Sequence, residues 1–213
     1  MKTDELIALM STDVAPVSAG AVGRRMASAS LAAAGLALMV LMVWLGLRHD
    51  LMGAMHTGPF WMKAGYTIGL TVGGLMLVER LARPGTAPGS GLWVLAAAFM
   101  GVTTLGAINL ALSAPRQWAA AWLGDSWTVC PFRILIISAP AFAAIIWGLK
   151  RFAPTRLALT GAAAGLLAGG IGATIYGLHC NESTAAFVAT WYTLGIAACA
   201  GIGALLGPRL LRW

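Results

Sequence analysis

The sequence predicts an all-α membrane protein: six transmembrane helices in a compact, glycine-rich bundle, with both termini in the cytoplasm. Three observations predict it. Of 213 residues, 59% are hydrophobic and 10% are charged, whereas soluble domains carry about 25% charged residues. Six apolar stretches follow one another, at residues 29–47, 64–78, 92–112, 132–149, 157–178 and 185–206. Most approach the ~20 residues that cross about 30 Å of hydrocarbon. The basic residues are also unevenly shared between the two sides. Lys2, Arg24, Arg25, Arg80, Arg83, Lys150, Arg151, Arg156, Arg209 and Arg212 fall on the side of the termini. Only Arg48, Lys63, Arg116 and Arg133 fall on the other. Basic loops stay cytoplasmic.

The organisation reads as a cytoplasmic tail (1–28), a six-span domain (29–206) and a short cytoplasmic end (207–213). In the tail, Thr3 can cap a helix, and Asp4 and Glu5 suit its positive first turn. Leu6, Ile7, Met10 and Val14 then recur near helical spacing until Pro16. Residues 17–23 form a small-residue linker. A helix this short does not fold alone. It either lies on lipid or serves as a helix-in-groove ligand for a cytoplasmic protein. Its acidic start argues against lipid, because interfacial helices are basic. The first span follows Arg24 and Arg25 as a signal peptide would. It is too long for one and lacks a small-x-small cleavage site, so it is an uncleaved anchor. The second span is the shortest and could begin at Phe60 or Trp61. No span alternates with the two-residue period of a barrel strand.

Glycines indicate how the spans pack. Gly161, Gly165, Gly169 and Gly177 lie on one i+4 stripe, with Ala173 filling the gap. Gly65, Gly69 and Gly73 make a second stripe, and Gly195, Cys199, Gly203 and Gly207 a third. Small residues four apart let helix backbones approach closely in lipid. Packing within one bundle is the simpler reading; a homodimer face is the other.

Composition also excludes functions. The spans leave no room for a soluble catalytic module. Ionisable residues are nearly absent at depth, where Asn109 and several threonines are the strongest polar groups. Ion-coupled transporters keep charges there. The net charge of +7 is a topology signal and a contact with anionic lipid, not a nucleic-acid surface. No cofactor is expected.

The remaining signal is an asymmetry. His49, His56 and His179 all lie on the non-cytoplasmic side, with Cys130 and Cys180. Cys130 precedes Pro131 at the mouth of the fourth span, and Cys180 sits in the tight turn between the fifth and sixth. In an oxidising compartment two such cysteines can form a structural bridge or a sensed thiol pair. They can also supply soft ligands to a metal site that His179 or Glu182 would complete. A thiol oxidoreductase would need a paired cysteine motif, and each loop holds one cysteine. Cys199 reads as a small packing residue.

Several segments together carry a resemblance. They are the opening run Met1, Lys2, Thr3, Asp4, Glu5, Leu6, Ile7; the Arg24 and Arg25 pair; Cys130, Pro131 and Phe132; and His179, Cys180, Asn181, Glu182 and Ser183. In this order and spacing the chain resembles the NrsF-type six-span bacterial membrane anti-sigma factors, over essentially its whole length. The resemblance implies a non-enzymatic inner-membrane protein that holds an extracytoplasmic-function sigma factor inactive. It also implies that Cys130 and Cys180 sense oxidants or heavy metals. On this reading Asp4, Glu5, Leu6, Ile7 and Met10 contact the partner. The alternatives are a periplasm-facing thiol- or metal-handling membrane enzyme and a small transporter; the first would need a quinone or redox-partner site, the second a polar path through the spans.

Overall fold

The computed structural model describes residues 3–12, 20–87 and 89–212, apart from the side chains of Met10 and Ser11. The described residues are helical or in short connections. A first helix, α1 (Thr3–Ser11), precedes the bundle. The long helices are α2 (Ala21–Trp44), α4 (Gly58–Leu81), α5 (Gly91–Leu112), α7 (Cys130–Leu149) and α8 (Leu157–Tyr176). A last rod runs from Ala185 to Leu210 as α9 (Ala185–Phe187), a π-helical turn (Val188–Tyr192) and α10 (Thr193–Leu210). Short helices α3 (Leu51–Ala54) and α6 (Trp118–Leu123) interrupt two loops.

Five helices are long and apolar enough to cross a membrane: Ala21–Trp44, Gly91–Leu112, Cys130–Leu149, Leu157–Tyr176 and Ala185–Leu210. The second predicted span differs. Helix α4 has 24 residues but is not among the five, because it includes Lys63, Glu79 and Arg80 together with Tyr66, Thr67 and Thr71. These polar groups do not simply face outward: Lys63, Tyr66 and Thr67 are buried. The outer faces are apolar, with Leu31, Val43, Trp93, Leu112 and Leu205 exposed. An apolar surface of this kind is unfavourable in water and costs nothing in hydrocarbon.

Helix α8 is the axis. It packs on α10, α4, α7 and α2, and it can do so because it is small on several faces. A Cβ at Gly161 would collide with the Gly203 carbonyl, and one at Gly165 with the Cys199 carbonyl. Gly169 meets Ile196 and Cys199. The stripes of the fifth and sixth predicted spans therefore face each other inside one chain. Gly170 and Gly172 serve further faces, against Thr71 of α4 and Ser138 of α7. Two predicted stripe members stand apart. Gly177 closes the end of α8, near its own turn and the Lys63 stem, and Gly65 has open space where its Cβ would be. Gly69 and Gly73 do pack, against Ala98 and Leu95 of α5.

Successive helices alternate, so the loops gather at two ends. At one end Arg25 Nε donates to the Gly148 carbonyl (2.9 Å) and its guanidinium lies over the Trp147 ring (5.1 Å). This contact belongs to an earlier helix start than the sequence suggests. Residues 21–23, read as linker, are already the first turn of α2. Small residues in its first turns give helix propensity without a steric cost.

In α1, Thr3 is helical rather than a preceding cap. Thr3 through Leu9 are all exposed, including Leu6, Ile7 and Leu9. Leu9, not among the predicted contact residues, is the most open apolar side chain of the three (66%). Val14 and Pro16, and the side chain of Met10, lie outside the described residues.

Candidate functional site: a thiol pair at one end of the bundle

The loops of the opposite end converge on Cys130 and Cys180. Cys130 opens α7, with Pro131 in the first turn, where the missing N–H has no intrahelical acceptor to lose. Its own N–H donates to the Ser126 carbonyl (2.9 Å). Cys180 follows the end of α8, and its N–H donates to the Tyr176 carbonyl (3.0 Å). Two elements 50 residues apart in sequence thus place both sulfurs inside the protein, with exposures of 0% and 3%. The thiols are close enough for each to shift the ionisation of the other, and they are not bridged. Cys199, also free, is remote from them in the α8–α10 seam, where its size is what matters.

Aromatic rings enclose the pair. Tyr176 stacks at 5.8 Å on Tyr192 and at 5.9 Å on His179. Tyr192 ends the π turn, and that local widening of the helix sets it against the sulfurs. The hydroxyls of Tyr176 and Tyr192 are buried and lack a hydrogen bond of normal geometry, so both have capacity to spare beside the thiols.

One residue of the site is absent from any sequence motif. Lys63, buried to 2% exposure, donates from Nζ to the carbonyl oxygens of Cys180 and Glu182, both at 2.8 Å. Its ammonium also lies 5.8 Å from the Tyr192 ring centre. Sequence counting treats Lys63 as one more basic residue near a loop. The available signal was its position: a lysine one to two turns inside an apolar stretch requires a partner.

The Cys180 thiol is held below the ordinary thiol range. Its hydrogen bond with Cys130 contributes most; burial opposes the shift, and the Lys63 ammonium adds to it. His179, the neighbour expected to tune Cys180 or bind metal with it, turns elsewhere. Its Nδ1 lies 3.1 Å from the Gly46 carbonyl. Glu182 is also diverted: its Oε1 accepts the Asp125 N–H (2.8 Å). The expected ligand set of Cys130, Cys180, His179 and Glu182 is therefore not assembled, and no group of three or more His, Cys, Asp or Glu able to hold a metal occurs among the described residues. The physical reason is that backbone groups of neighbouring loops had already claimed the two polar side chains.

Those loops are tied together without covalent bonds. Thr184 Oγ1 donates to the Ala121 carbonyl (2.6 Å), Trp191 Nε1 to the Trp122 carbonyl (2.9 Å), and Trp122 Nε1 to Thr190 Oγ1 (3.0 Å). Trp127 packs on Trp191 at 5.1 Å. Arg48 binds Asp50 through two bonds of 2.7 Å, which raises the pKa of Arg48 and lowers that of Asp50. A cavity of about 440 Å³ opens among these loops, lined by Arg48, Arg133, Tyr176, His179 and Cys180 but not by Cys130. Asn109, the deep polar group of the sequence reading, is exposed and lines a second opening, beside Asn181 and Ser183.

The fold and site define a class: an apolar helical bundle with a buried, unbridged thiol pair at one end and a short exposed helix before the first long one. A profile described as "Negative regulator of sigma F" matches residues 10–213. The chain belongs to that family, NrsF. It is 39% identical over 216 residues to the "Probable anti-sigma-F factor NrsF" of Azospira oryzae and 41% identical over 215 residues to the "Anti-sigma-F factor NrsF" of Caulobacter vibrioides, with 100% of each chain covered in both cases. No solved structure matches it.

Proposed function

We propose that this chain is a six-span anti-sigma factor of the bacterial inner membrane, with both termini in the cytoplasm, which sequesters an extracytoplasmic-function sigma factor and releases it when Cys130 and Cys180 change redox state. Family membership supports the regulatory role. The observation that carries the switch is the thiol pair: two cysteines from separate loops, buried together and unbridged, at the end opposite the Arg25–Gly148 contact. A heavy-metal trigger is the lesser reading, because no third ligand stands near. Helix α4 counts as the sixth span. It packs along α5 and α8, and its charges are confined to the two ends of an apolar middle.

The distribution of basic residues orients the bundle. It puts the thiol end in the periplasm and α1 in the cytoplasm, where Asp4, Glu5, Leu6, Ile7 and Met10 would contact the sigma factor. A tenfold change in sigma occupancy needs only about 1.4 kcal/mol of differential binding, within reach of one bond made or broken between the loops.

The test is sigma-dependent transcription with and without oxidant in Cys130→Ser and Cys180→Ser cells. Altered induction at normal protein level supports the switch; a parental response in both sinks it. Reporter fusions after Arg83 and Trp213 should behave as cytoplasmic, and one near Gly124 as periplasmic. The reverse pattern would place the thiols in a reducing compartment and defeat the reading.

A further inference from the structure

We propose that Lys63 makes the two thiols unequal: it stabilises negative charge on Cys180, so that Cys180 is the sulfur that meets an oxidant arriving through the loop-lined cavity, and Cys130, on the closed side, completes the bond. This rests on the preceding reading only in taking the thiols as the switch.

The argument starts from charge. Lys63 is a buried cation whose two hydrogen bonds go to neutral carbonyls. An ammonium has three donors, and Lys63 is in no ion pair within 4.0 Å, so no carboxylate neutralises it directly. A buried charge without an opposite partner is costly. One of the two carbonyls that hold the ammonium belongs to Cys180 itself, so the cation is fixed on the residue whose sulfur can become an anion.

The other groups facing Cys180 do not reverse this. From the loop after α2, Arg48 is already paired with Asp50, and its Nη1 is buried without a hydrogen bond. From α7 come Cys130 and Arg133, from α8 Tyr176, and from the π turn Tyr192. On the Cys180 loop itself, His179 faces the Gly46 carbonyl and the Glu182 carboxylate is bonded to the Asp125 N–H. From the loop before α7, Asp125 also lines the cavity, and neither its carboxylate nor that of Glu182 is in an ion pair. The charged group that acts on the Cys180 sulfur is the Lys63 ammonium, held on the Cys180 carbonyl. The depressed Cys180 thiol agrees with that geometry.

Access is unequal in the same sense. Cys180 lines the cavity of about 440 Å³ and Cys130 does not. With a hydroperoxide as oxidant, the Cys180 thiolate attacks the distal oxygen and the O–O bond breaks. The sulfur is oxidised to S–OH, and the departing alkoxide or hydroxide takes a proton from solvent. The Cys130 sulfur then attacks Cys180; the S–S bond forms, the S–O bond breaks, and the hydroxide leaves as water with the Cys130 thiol proton. Lys63 reacts with nothing. It is a positioning residue.

The experiment uses full-length protein in membranes, hydrogen peroxide as probe and dimedone to trap sulfenic acid, read residue by residue by mass spectrometry. Cys180 in the Cys130→Ser variant should label at least about tenfold faster than Cys130 in the Cys180→Ser variant, as expected of the thiolate-bearing partner. Adding Lys63→Met to Cys130→Ser should slow Cys180 labelling about fivefold or more at about pH 7 and restore the Lys63-containing rate at about pH 10, where the thiol ionises unaided. Lys63→Arg, which keeps the cation, should stay near the Lys63-containing rate. Equal labelling of the two cysteines, or faster labelling of Cys130, overturns the proposal. So does a Lys63→Met rate that is unchanged at neutral pH or slowed equally at every pH. If Lys63→Met does not accumulate, the comparison of the two serine variants decides alone. Equal labelling with oxidant-dependent transcription intact removes the ordering and leaves the sensing role standing; loss of the cysteine dependence of transcription removes the sensing role instead.

Discussion

The thiol site and the N-terminal helix are built in opposite ways. At the thiol end, the loop after α8 is joined to α4 by Lys63, to the loop after α2 by His179 and Gly46, and to the loop after α5 by Glu182, while Trp122 and Trp127 pack against Trp191, and both sulfurs are buried. At the other extreme, α1 has nine residues, and each of its side chains from Thr3 to Leu9 is exposed. A helix of that length is marginal in water, and in the function proposed above its apolar residues are held by the partner's surface. The contrast separates a region that must hold a geometry from one that must acquire one. A device that detects a chemical change at sulfur needs defined neighbours. A segment that grips another protein needs an uncovered face.

The strongest way to break the comparison is to destroy the axis that serves the thiol end. Gly165→Leu drives a side chain into the Cys199 carbonyl. Overpacking costs about 1–3 kcal/mol in a core that can shift, and backbone cannot, so about 3 kcal/mol or more is expected. Membrane accumulation and thermal unfolding in detergent should both fall sharply. Gly65→Leu, with open space at its Cβ, should pass the same assays nearly unchanged. If the two behave alike, close approach of α8 and α10 is not what holds the bundle.

The next effect belongs to the exposed helix. Replacing Leu6, Ile7 and Met10 together with Ser should abolish co-purification of the sigma factor while thermal stability stays within about 0.5 kcal/mol of parental, as for surface substitutions. Retained binding would move the interface to the loops that carry Arg83 and Arg151.

A smaller effect sharpens the picture of the thiol end. Glu182→Gln keeps an acceptor for the Asp125 N–H but removes the charge from a bond worth about 1.5–3 kcal/mol when ionised. Hydrogen exchange of the Asp125 amide should quicken a few-fold, with bulk stability little changed. The smallest effect is that of Arg48 and Asp50. The guanidinium lowers the Asp50 pKa, so this bond contributes at neutral pH and is lost as pH falls through the depressed Asp50 value. Asp50 is exposed, so the change should be visible in the carboxylate's own titration and barely visible in unfolding.

Much of the fold was legible in the chain because hydrophobic length is a local property: five of the six predicted spans coincide with long apolar helices. The stripe of Gly161, Gly165 and Gly169 was legible for the same reason, since i+4 spacing is local. Its partner was not. That it meets Cys199, Gly203 and Gly207 rather than a second copy is a fact of packing. Residues 21–23 were misread because a run of small residues serves a linker and a lipid-facing helix equally well.

The site divides along the same line. By itself the sequence determined the composition that selects a bilayer, the sidedness of its basic residues and the presence of one cysteine in each of two loops, because each is a matter of residue type and order along the chain. Only the tertiary structure decided that Cys130 and Cys180 meet, that His179 and Glu182 turn to Gly46 and Asp125 instead of to a metal, and that Lys63 stands over Cys180. Those outcomes depend on which backbone groups arrive beside which side chains once the loops are packed, and no spacing within a single segment encodes that.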